Sequence, residues 1–493
     1  MSDSEKEQLI EEKHIEDQPV TIEQIQQEKD ISVKFVYLLP FLLVAYTSSL
    51  LDTTGNNLSL PYIQQDFNKS QPVAQWVQSI YYLSQASLSI PLAKLGEILG
   101  QKHSIMWFCG LHSIVTVSMF FTSNFILYCS LRFIQGALAS GAMASRTTIV
   151  RKLSPKSKAQ QYIQYNMATL SFVSIIIPSL CGLIIDVNWR YILIFNASSS
   201  LLSVFLIIPF VNTKSEQRQR IDIYGSIFLF IAIACIDLSF TFIGEAKYIL
   251  FGCLLPAGLL FIVFFVFSQR NNPNALVPLH LMKQPVSDYV LVNFTQYFAS
   301  SGFNYLIPQA FKHYNLNSTT VGLIQTINAV GSLIVSVSIP SLTKIFLNKH
   351  IIQFGYLINI ILLIFALIFA NAFISTVIIY VLFSIALTII NQTVYPLILL
   401  SVPVKFAAQI GAIPTVSRTI GSALTVSICS SILGAEVSKG QNGFVVKEQI
   451  IICLFLVFVI VGFGIIGLRT GQGDADRGKR GFQERKVIQL KVE

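Results

Sequence analysis

The sequence predicts an all-α polytopic membrane protein, and two features carry that prediction: the composition and the spacing of the apolar stretches. The chain has 493 residues, of which 53% are hydrophobic and only 12% charged, whereas a soluble globular chain carries about 25% charged residues. Fourteen apolar stretches lie between about residue 34 and residue 469. Each can cross a bilayer, which takes roughly 20 residues in a helix. Because lipid offers no hydrogen bonds, each backbone group must be paired within its segment, so we expect helices.

The predicted spans fall into three groups along the chain. The first six are 34–54, 73–94, 104–122, 125–148, 162–185 and 190–211; two follow at 223–244 and 248–268; the last six are 286–310, 319–342, 350–370, 374–400, 407–434 and 448–469. Connections are short, so neighbouring helices should be antiparallel. The polar ends, 1–33 and 470–493, are predicted to be cytoplasmic tails, the first of them disordered, and 271–285 a cytoplasmic loop.

The distribution of Lys and Arg predicts the orientation. With the N-terminus in the cytoplasm, the cytoplasmic segments hold 25 Lys and Arg, the opposite side holds six, and three lie inside spans. Short cytoplasmic loops carry the excess of basic residues, so we expect both termini inside, in a plasma membrane or a vacuole-like endomembrane. The net charge of +9 does not indicate a nucleic-acid partner, because the cations are spread over many loops.

The sequence contains no pattern typical of an enzyme, a cofactor or a metal site. HExxH and GxSxG are absent, and the seven cysteines fall inside predicted spans without a CxxC pair. His112 is alone in its span and is expected to be packed or solvated. We therefore expect no enzymatic activity, no cofactor and no metal. The expected partners are a small solute, protons and the lipid bilayer, and the expected state is a monomer.

Ionisable residues inside spans are the best functional candidates, because a charge at the bilayer centre costs roughly 2.5–3.5 kcal/mol. Asp52 lies late in the first span, within LLDTTGNNLSLP, where Gly55 and Pro61 would let the helix open. A carboxylate beside a loosened helix can bind a proton or a cation. The alternative is an interfacial Asp that caps the polar end of the span.

Four other charges lie within spans. Arg132, which keeps its proton at accessible pH, is expected to tune a nearby carboxylate or to hold Gln135 and backbone carbonyls, unless it forms only a structural ion pair. Arg146 is near the cytoplasmic end and is expected to snorkel. Asp237 is deep in its span and is a second candidate for proton or cation coupling. Arg418 lies in a Gly- and Pro-containing stretch and is a candidate for solute binding.

Other residues suggest gating and solute binding. The turn AKLGEILGQKH offers Glu97 and Lys102 as charges that could clamp neighbouring helix ends, and Pro178 with Gly182 predicts a bend in the fifth span. Amide side chains suit polar or cationic organic solutes because they both donate and accept hydrogen bonds. The candidates for solute binding, besides Gln135 and Arg418, are Asn56, Asn293, Gln296 and Asn391. The alternative for each amide is a link between helices.

Several motifs resemble those of a known transporter family. Residues 51–61 read LDTTGNNLSLP, 93–102 read AKLGEILGQK, 132–136 read RFIQG, 188–191 read NWRY and 418–421 read RTIG. Together they resemble the major facilitator superfamily, and within it the fourteen-spanner drug:proton antiporters. Their first-span motif is LDxTxVNxALP, their loop motif G-x-L-a-D-r-x-G-r-k and their fourth-span motif R-x-x-Q-G.

The resemblance implies a specific architecture. Residues 34–211 would form one six-helix bundle and 286–469 a second, with 212–270 supplying a linker and an extra pair of helices between them. The solute site would lie between the bundles. Asp52, Arg132 and Asp237 would serve proton or cation coupling, and Glu97, Lys102, Pro178 and Gly182 would serve gating.

The function implied is proton-coupled export of small organic or drug-like solutes by alternating access. Two departures leave other functions open. Ile177 stands where the fifth-span motif has glycine before Pro178, and the loop motif has Glu97 for Asp and lacks both arginines. The alternatives are a uniporter or importer of a specific small solute, such as an amino acid, polyamine or siderophore, and a non-transporting membrane receptor on the same fold.

Overall fold

The protein is a bundle of long helices in a computed structural model. The described residues are 34–154, 159–210, 222–244, 247–270, 272, 275, 286–313, 318–369, 373–400, 407–434 and 441–469. The two predicted tails, most of the loop 271–285 and the linker before residue 222 lie outside the described residues.

The described residues form fourteen long helices. The first, α1, joins an α-helix over Phe35–Leu50, a π-helical turn over Leu51–Gly55 and an α-helix over Asn56–Asp66. Five more complete the first half: α2 (Trp76–Leu99), preceded by a single turn at Gln71–Ala74, α3 (Gln101–Phe120), α4 (Phe125–Lys152), α5 (Ala159–Asn188) and α6 (Tyr191–Ile207). The two intervening helices are α7 (Ile223–Gly244) and α8 (Tyr248–Arg270), and the second half has α9 (Val286–His313), α10 (Ser318–Ile345), α11 (Asn348–Phe369), α12 (Phe373–Leu400), α13 (Ala407–Gly434) and α14 (Gln441–Arg469).

Eight of these helices are long and apolar enough to cross a membrane by length and composition, among the described residues. They are α1, α3, α4, α5, α8, α10, α11 and α12. Three others are apolar but shorter over the described residues, namely Tyr191–Ile207, Ile223–Ser239 and Ile450–Ile466. Helix α2 has a more polar interior and buries Gln78, Gln85 and several serines. The prediction of an all-helical polytopic membrane protein is confirmed at this level.

Local signals in the sequence explain several helix ends. Asn124 caps α4, because its Oδ1 accepts hydrogen bonds from the backbone N–H groups of Ile126 at 2.9 Å and Leu127 at 3.3 Å. Gly100 has φ 89°, which only glycine adopts without strain, and it makes the sharp turn between α2 and α3. Lys102, in the first turn of α3, donates to the carbonyl of Ile208, just after α6 ends. Helices α3 and α6 therefore run antiparallel.

The two halves meet along two helix pairs. Helix α5 packs along α10, and α2 packs along α13. Gly322 of α10 lies so close to α5 that an added Cβ would be 2.5 Å from the Pro178 carbonyl oxygen. Helices α7 and α8 form a hairpin that packs on α2 and α13. Asp222 begins this hairpin by accepting from the backbone N–H of Gly225 at 2.9 Å and from the Gln269 amide at 2.7 Å.

Candidate functional site

The centre of the first half is built around the π-helical turn of α1, which holds Asp52. A π turn leaves a wider backbone repeat than an α-helix, and such turns occur frequently at functional sites. Gly55 closes the turn against α5 and α6, where an added Cβ would lie 3.1 Å from Ile192 and 3.3 Å from the Cys181 sulfur. The turn directs Asp52 into the bundle, where the residue is only 1% exposed.

Asp52 belongs to a closed ring of five hydrogen-bonded side chains from three helices. Its Oδ1 accepts from the Asn196 amide at 2.6 Å, and its Oδ2 lies 2.9 Å from Nε2 of His112. Nδ1 of His112 lies 2.8 Å from the Ser200 hydroxyl, which lies 2.6 Å from the Ser48 hydroxyl. Ser48 closes the ring by donating to Oδ1 of Asn196 at 2.8 Å. All five residues are buried.

The directions of these hydrogen bonds determine how many protons the ring holds. Because the Asn196 N–H faces the carboxylate, its carbonyl oxygen must accept the Ser48 proton. Ser48 has then no proton left for Ser200, so Ser200 donates to Ser48 and must accept from Nδ1–H of His112. His112 thus carries a proton on Nδ1. One more proton must lie between Nε2 and Asp52, since two lone pairs would otherwise face each other at 2.9 Å.

This pattern of hydrogen bonds has room for one proton between Asp52 and His112. Without it, the remaining imidazole proton would face the carboxylate from Nε2, and Nδ1 would accept from Ser200. Ser48 could then donate to Asn196 or to Ser200, but not to both. Because both partners lie on α6, the arrangement can link a proton to the packing of α1 against α6.

Arg132 of α4 clamps the backbone around this pair. Its guanidinium donates to the backbone carbonyl of Asp52, to the Val77 carbonyl at 3.3 Å and to Oε1 of Gln135 at 2.5 Å. Its Nη1 lies 3.6 Å from Asp52 Oδ1, and its Cζ lies 4.1 Å from the centre of the Tyr81 ring. Both charged side chains are 1% exposed. The guanidinium is therefore fixed against the backbone and the side chain of Asp52 at once.

Two small cavities flank Asp52 along the bundle axis. The first is lined by Asp52 and His112 and continues to Phe41, Ser203 and Arg146, toward the end at which α1 begins. The second is lined by Arg132, Asn56 and Asn196 toward the opposite end. The first has room for about one water molecule. Asp52 and His112 line the first cavity but not the second.

Arg146 is buried on the side of Asp52 at which α1 begins, and it is 4% exposed. Its Nη1 donates to the Ala45 carbonyl at 2.9 Å and to the Ser49 hydroxyl at 3.3 Å. Its Cζ lies 4.1 Å from the centre of the Tyr46 ring. The expectation that this side chain snorkels out of the bundle is wrong, because hydrogen bonds and stacking on α1 hold it inside.

Arg418 is the charge at the junction of the halves. It lies on α13, is partly exposed and donates to the Met143 sulfur of α4 at 3.0 Å. Its Cζ lies 5.6 Å from the centre of the Tyr297 ring. Within the described part of the chain it forms no ion pair with a carboxylate.

The remaining predicted solute-binding residues lie mostly between helices. Asn293 donates to the Pro414 carbonyl at 2.9 Å, and Gln296 donates to the Leu387 carbonyl at 3.1 Å, both within the second half. Asn56 donates to Gln78 at 2.7 Å. Asn391 is partly exposed on α12. These contacts correspond to the helix-linking alternative for Asn293, Gln296 and Asn56.

Asp237, the second predicted coupling residue, lies apart from Asp52. It is fully buried on α7, where its Oδ1 accepts from the Ser427 hydroxyl of α13 at 2.7 Å. Ser427 lies in turn 3.2 Å from the Ser79 hydroxyl of α2. Asp237 therefore joins the extra helix pair to both halves, outside the Asp52 ring.

The predicted gating residues also occupy separate places. Lys102 is held on α6 by the Ile208 carbonyl, whereas Glu97 faces the charges of Lys152 and Lys94 within the same half. The structure thus does not bring Glu97 and Lys102 together as one clamp. Pro178 and Gly182 are buried on α5, and the Pro178 carbonyl forms the close contact with Gly322 of α10.

Sequence reasoning missed most of the ring. His112 is packed, as one of the two expectations had it, but the expectation that it stands alone is wrong, because both of its ring nitrogens have side-chain partners. One signal was present: Ser48 and Asp52 are four apart on α1, and Asn196 and Ser200 are four apart on α6. Polar residues at that spacing share one helix face, and in an apolar span they indicate a buried polar cluster.

Comparison with known proteins places this arrangement in a family. The family model described as Major Facilitator Superfamily matches residues 42–426, which cover most of the chain. The chain belongs to the major facilitator superfamily. Members of this superfamily are transporters, and they carry small solutes across a lipid bilayer. The match spans the Asp52 ring, Arg132 and Arg418.

Relatives within the superfamily are distant and match only part of the chain. The uncharacterized MFS-type transporter EfpA of Mycobacterium tuberculosis is 26% identical over 243 residues, which are 47% of this chain and 44% of that protein. The probable transport protein HsrA of Haemophilus influenzae is 25% identical over 274 residues, 53% of this chain and 58% of that protein. The multidrug resistance protein Stp of Mycobacterium tuberculosis is 24% identical over 38% of this chain and 35% of its own. The chain spans about half the length of the curated relatives it matches.

Solved structures of the superfamily share the fold. A D-xylose–proton symporter superposes with a TM-score of 0.61 and 14% identity, covering 87% of this chain and 95% of its own. The human organic anion transporter MFSD10 superposes with a TM-score of 0.60 and 12% identity, covering 88% and 100%. These likenesses are of the fold alone.

Proposed function

We propose that this member of the superfamily is a proton-coupled exporter of small organic or drug-like solutes, of the drug:proton antiporter type. The observation that carries the proposal is the buried Asp52–His112 pair, whose place in a closed ring of hydrogen bonds leaves room for one proton between Oδ2 and Nε2. The first-span motif around Asp52 and the name of the relative Stp, a multidrug resistance protein, support the same function.

The coupling follows from the geometry of the ring. With its proton, the pair joins α1, α3 and α6 through one closed set of hydrogen bonds. Without it, Ser48 would lose one of its two hydrogen bonds to α6, the one to Asn196 or the one to Ser200, and the packing of α1 against α6 would weaken. Arg132 holds the backbone of Asp52 throughout. Proton release on one side and binding on the other would then bias the two halves between their alternative packings, as in rocking transporters.

The topology belongs to the same proposal. The Lys and Arg count favours both termini in the cytoplasm, in a plasma membrane or a vacuole-like endomembrane. The cavity that runs from His112 toward Arg146 would then open toward the cytoplasm. Helices α7 and α8 would form the extra spanning pair, and Asp237 would link that pair to α13 and α2.

The first test is transport into vesicles by the purified full chain. The probes are fluorescein and rhodamine 123, two xanthene dyes of similar size and opposite charge. An antiporter accumulates a dye when the vesicle interior is acidic, because outgoing protons drive the dye in, and a protonophore abolishes the accumulation. We expect acid-inside vesicles to accumulate at least one dye, and alkaline-inside vesicles none. The reverse dependence would identify a proton-coupled importer, and equal uptake in both would identify a uniporter.

The second test is the role of Asp52. Asp52→Asn removes the negative charge and should reduce gradient-driven accumulation to the level of empty vesicles. Asp66→Asn is the matched control, because Asp66 is on the same helix but pairs with Arg190 at a partly exposed site, 2.9 Å away. Unchanged accumulation in Asp52→Asn, with the protein folded, would contradict the coupling role.

A further inference from the structure

The guanidinium of Arg418 has far fewer partners than a buried cation normally has. A guanidinium offers five N–H donors, but in the described part of the chain Arg418 makes one hydrogen bond, to the Met143 sulfur. A thioether is a weak acceptor. The Tyr297 ring at 5.6 Å adds a further weak contact. Most of the hydrogen-bonding capacity of this cation is therefore not used by the described residues.

The charges around Arg418 do not neutralise it. Arg132 has Asp52 as its counter-ion. Arg146 and Arg418 form no ion pair with a carboxylate among the described residues, and both act electrostatically on Tyr46. Their helices meet at the Met143 contact, one turn from Arg146. An unpaired cation at membrane depth is costly, and two in one region repel any further positive charge.

Of these two arginines, Arg418 is the more exposed. Arg146 is 4% exposed and is bonded to the Ala45 carbonyl. Arg418 is only partly buried, and it sits where α13 of the second half faces α4 of the first. The one aromatic ring recorded next to its guanidinium within the described residues is that of Tyr297.

We propose that Arg418 is the recognition site for an anionic group of the transported solute, so that this protein carries organic anions with a flat, apolar body. A carboxylate or similar oxyanion would accept two parallel N–H bonds from the guanidinium and displace the Met143 sulfur. Tyr46 and Tyr297 would contact the apolar body. This inference rests on the proposed transport function. The amide and carboxylate residues by themselves would have favoured a polar or cationic solute.

The test is equilibrium binding, which needs no proton gradient. The purified full chain in detergent is titrated into fluorescein or rhodamine 123 at pH 7.5, and anisotropy is read against empty micelles. Wild type should bind fluorescein at least about tenfold more tightly than rhodamine 123. Arg418→Gln should weaken fluorescein binding about tenfold, the loss expected for one partly solvated charged contact. The affinity of Arg418→Lys for fluorescein should lie between those of wild type and Arg418→Gln, because lysine keeps the charge but not the paired N–H geometry.

Two controls keep the outcomes separate. Arg270→Gln removes an exposed arginine at the end of α8 and should change neither dye, and size-exclusion profiles establish that each variant folds. Equal or tighter binding of rhodamine 123 by wild type, no binding of fluorescein, or unchanged fluorescein binding in folded Arg418→Gln would overturn the proposal. Because binding is read without a proton gradient, a failure of proton coupling in the vesicle test leaves this result intact.

Discussion

At the scale of single residues, the chemistry of Asp52 depends on the direction of hydrogen bonds rather than on burial alone. A buried carboxylate next to Arg132 would simply stay ionised. His112 changes this, because it links the carboxylate to Ser200 and, through it, to Ser48, and the protons of both hydroxyls are used in other hydrogen bonds. One proton then has a defined place between Nε2 and Oδ2. The pair, rather than Asp52 by itself, is the unit that can be loaded and unloaded.

A substitution at Ser200 tests the ring without replacing Asp52 or His112. Ser200→Ala leaves Nδ1–H of His112 without its acceptor and removes the donor to Ser48. An unsatisfied buried donor costs about 1–3 kcal/mol, so the unfolding temperature should fall. The matched control is Ser198→Ala on the same helix, whose exposed hydroxyl bonds only the Ile194 carbonyl at 2.9 Å. Equal stability of the two variants in a thermal unfolding measurement would show that the ring contributes nothing.

At the scale of helices, two close contacts position the site. The π turn of α1 is held by Gly55 against α5 and α6, and Gly322 lets α10 approach the Pro178 carbonyl of α5. Both glycines act by lacking a Cβ, which lets a neighbouring helix approach closely, as small residues do at many membrane helix interfaces. Although Ile177 replaces the glycine of the fifth-span motif, Pro178 is kept, and its carbonyl packs between the halves.

Gly322 provides a test at this scale. In Gly322→Ala the new Cβ would lie 2.5 Å from the Pro178 carbonyl oxygen, so α5 and α10 must separate. Overpacking of this kind costs about 1–3 kcal/mol, and the unfolding temperature should fall. Gly464→Ala on α14 is the control, because no atom would lie within 4 Å of its Cβ. An unchanged unfolding temperature in Gly322→Ala would mean that α5 and α10 separate at this contact without cost in stability.

At the scale of the whole molecule, the halves are joined at the end of the bundle where α5 ends and α10 begins. Asp186 of α5 accepts hydrogen bonds from the hydroxyl of Thr319 and from its backbone N–H, the latter at 3.3 Å. Alternating access requires such contacts to break when that end opens. This exposed link is therefore a site at which movement of the halves can be stopped from outside the solute site.

Oxidative cross-linking tests that movement. Replacing Asp186 and Thr319 together by Cys should give a disulfide that blocks transport, and a reducing agent should restore it. The control joins two residues of one half, Ser301 and Ser422, whose hydroxyls are in contact. That cross-link should leave transport unchanged, because the two residues move together. Undiminished transport in the cross-linked Asp186–Thr319 pair would contradict a rocking movement of the halves.

The sequence alone determined the class of this protein, because hydropathy and length act on each segment separately. The fourteen helices and the family follow from apolar stretches and from short motifs that include Asp52, Arg132 and Arg418. Helix ends were less predictable: the first span was predicted over 34–54, but α1 continues to Asp66. The continuation is polar, and only packing against α5 and α9 makes it part of the helix.

Only the tertiary structure decided which polar residues meet. His112 is 60 positions from Asp52, and Asn196 is 144, so no local pattern relates them. It also decided that Asn293 and Gln296 bind backbone carbonyls while Arg418 retains unused donors. The physical reason is that hydrogen bonds depend on direction and on distances below about 3.2 Å. Those quantities are set by how helices pack, whereas the tendency to enter the membrane is set by composition.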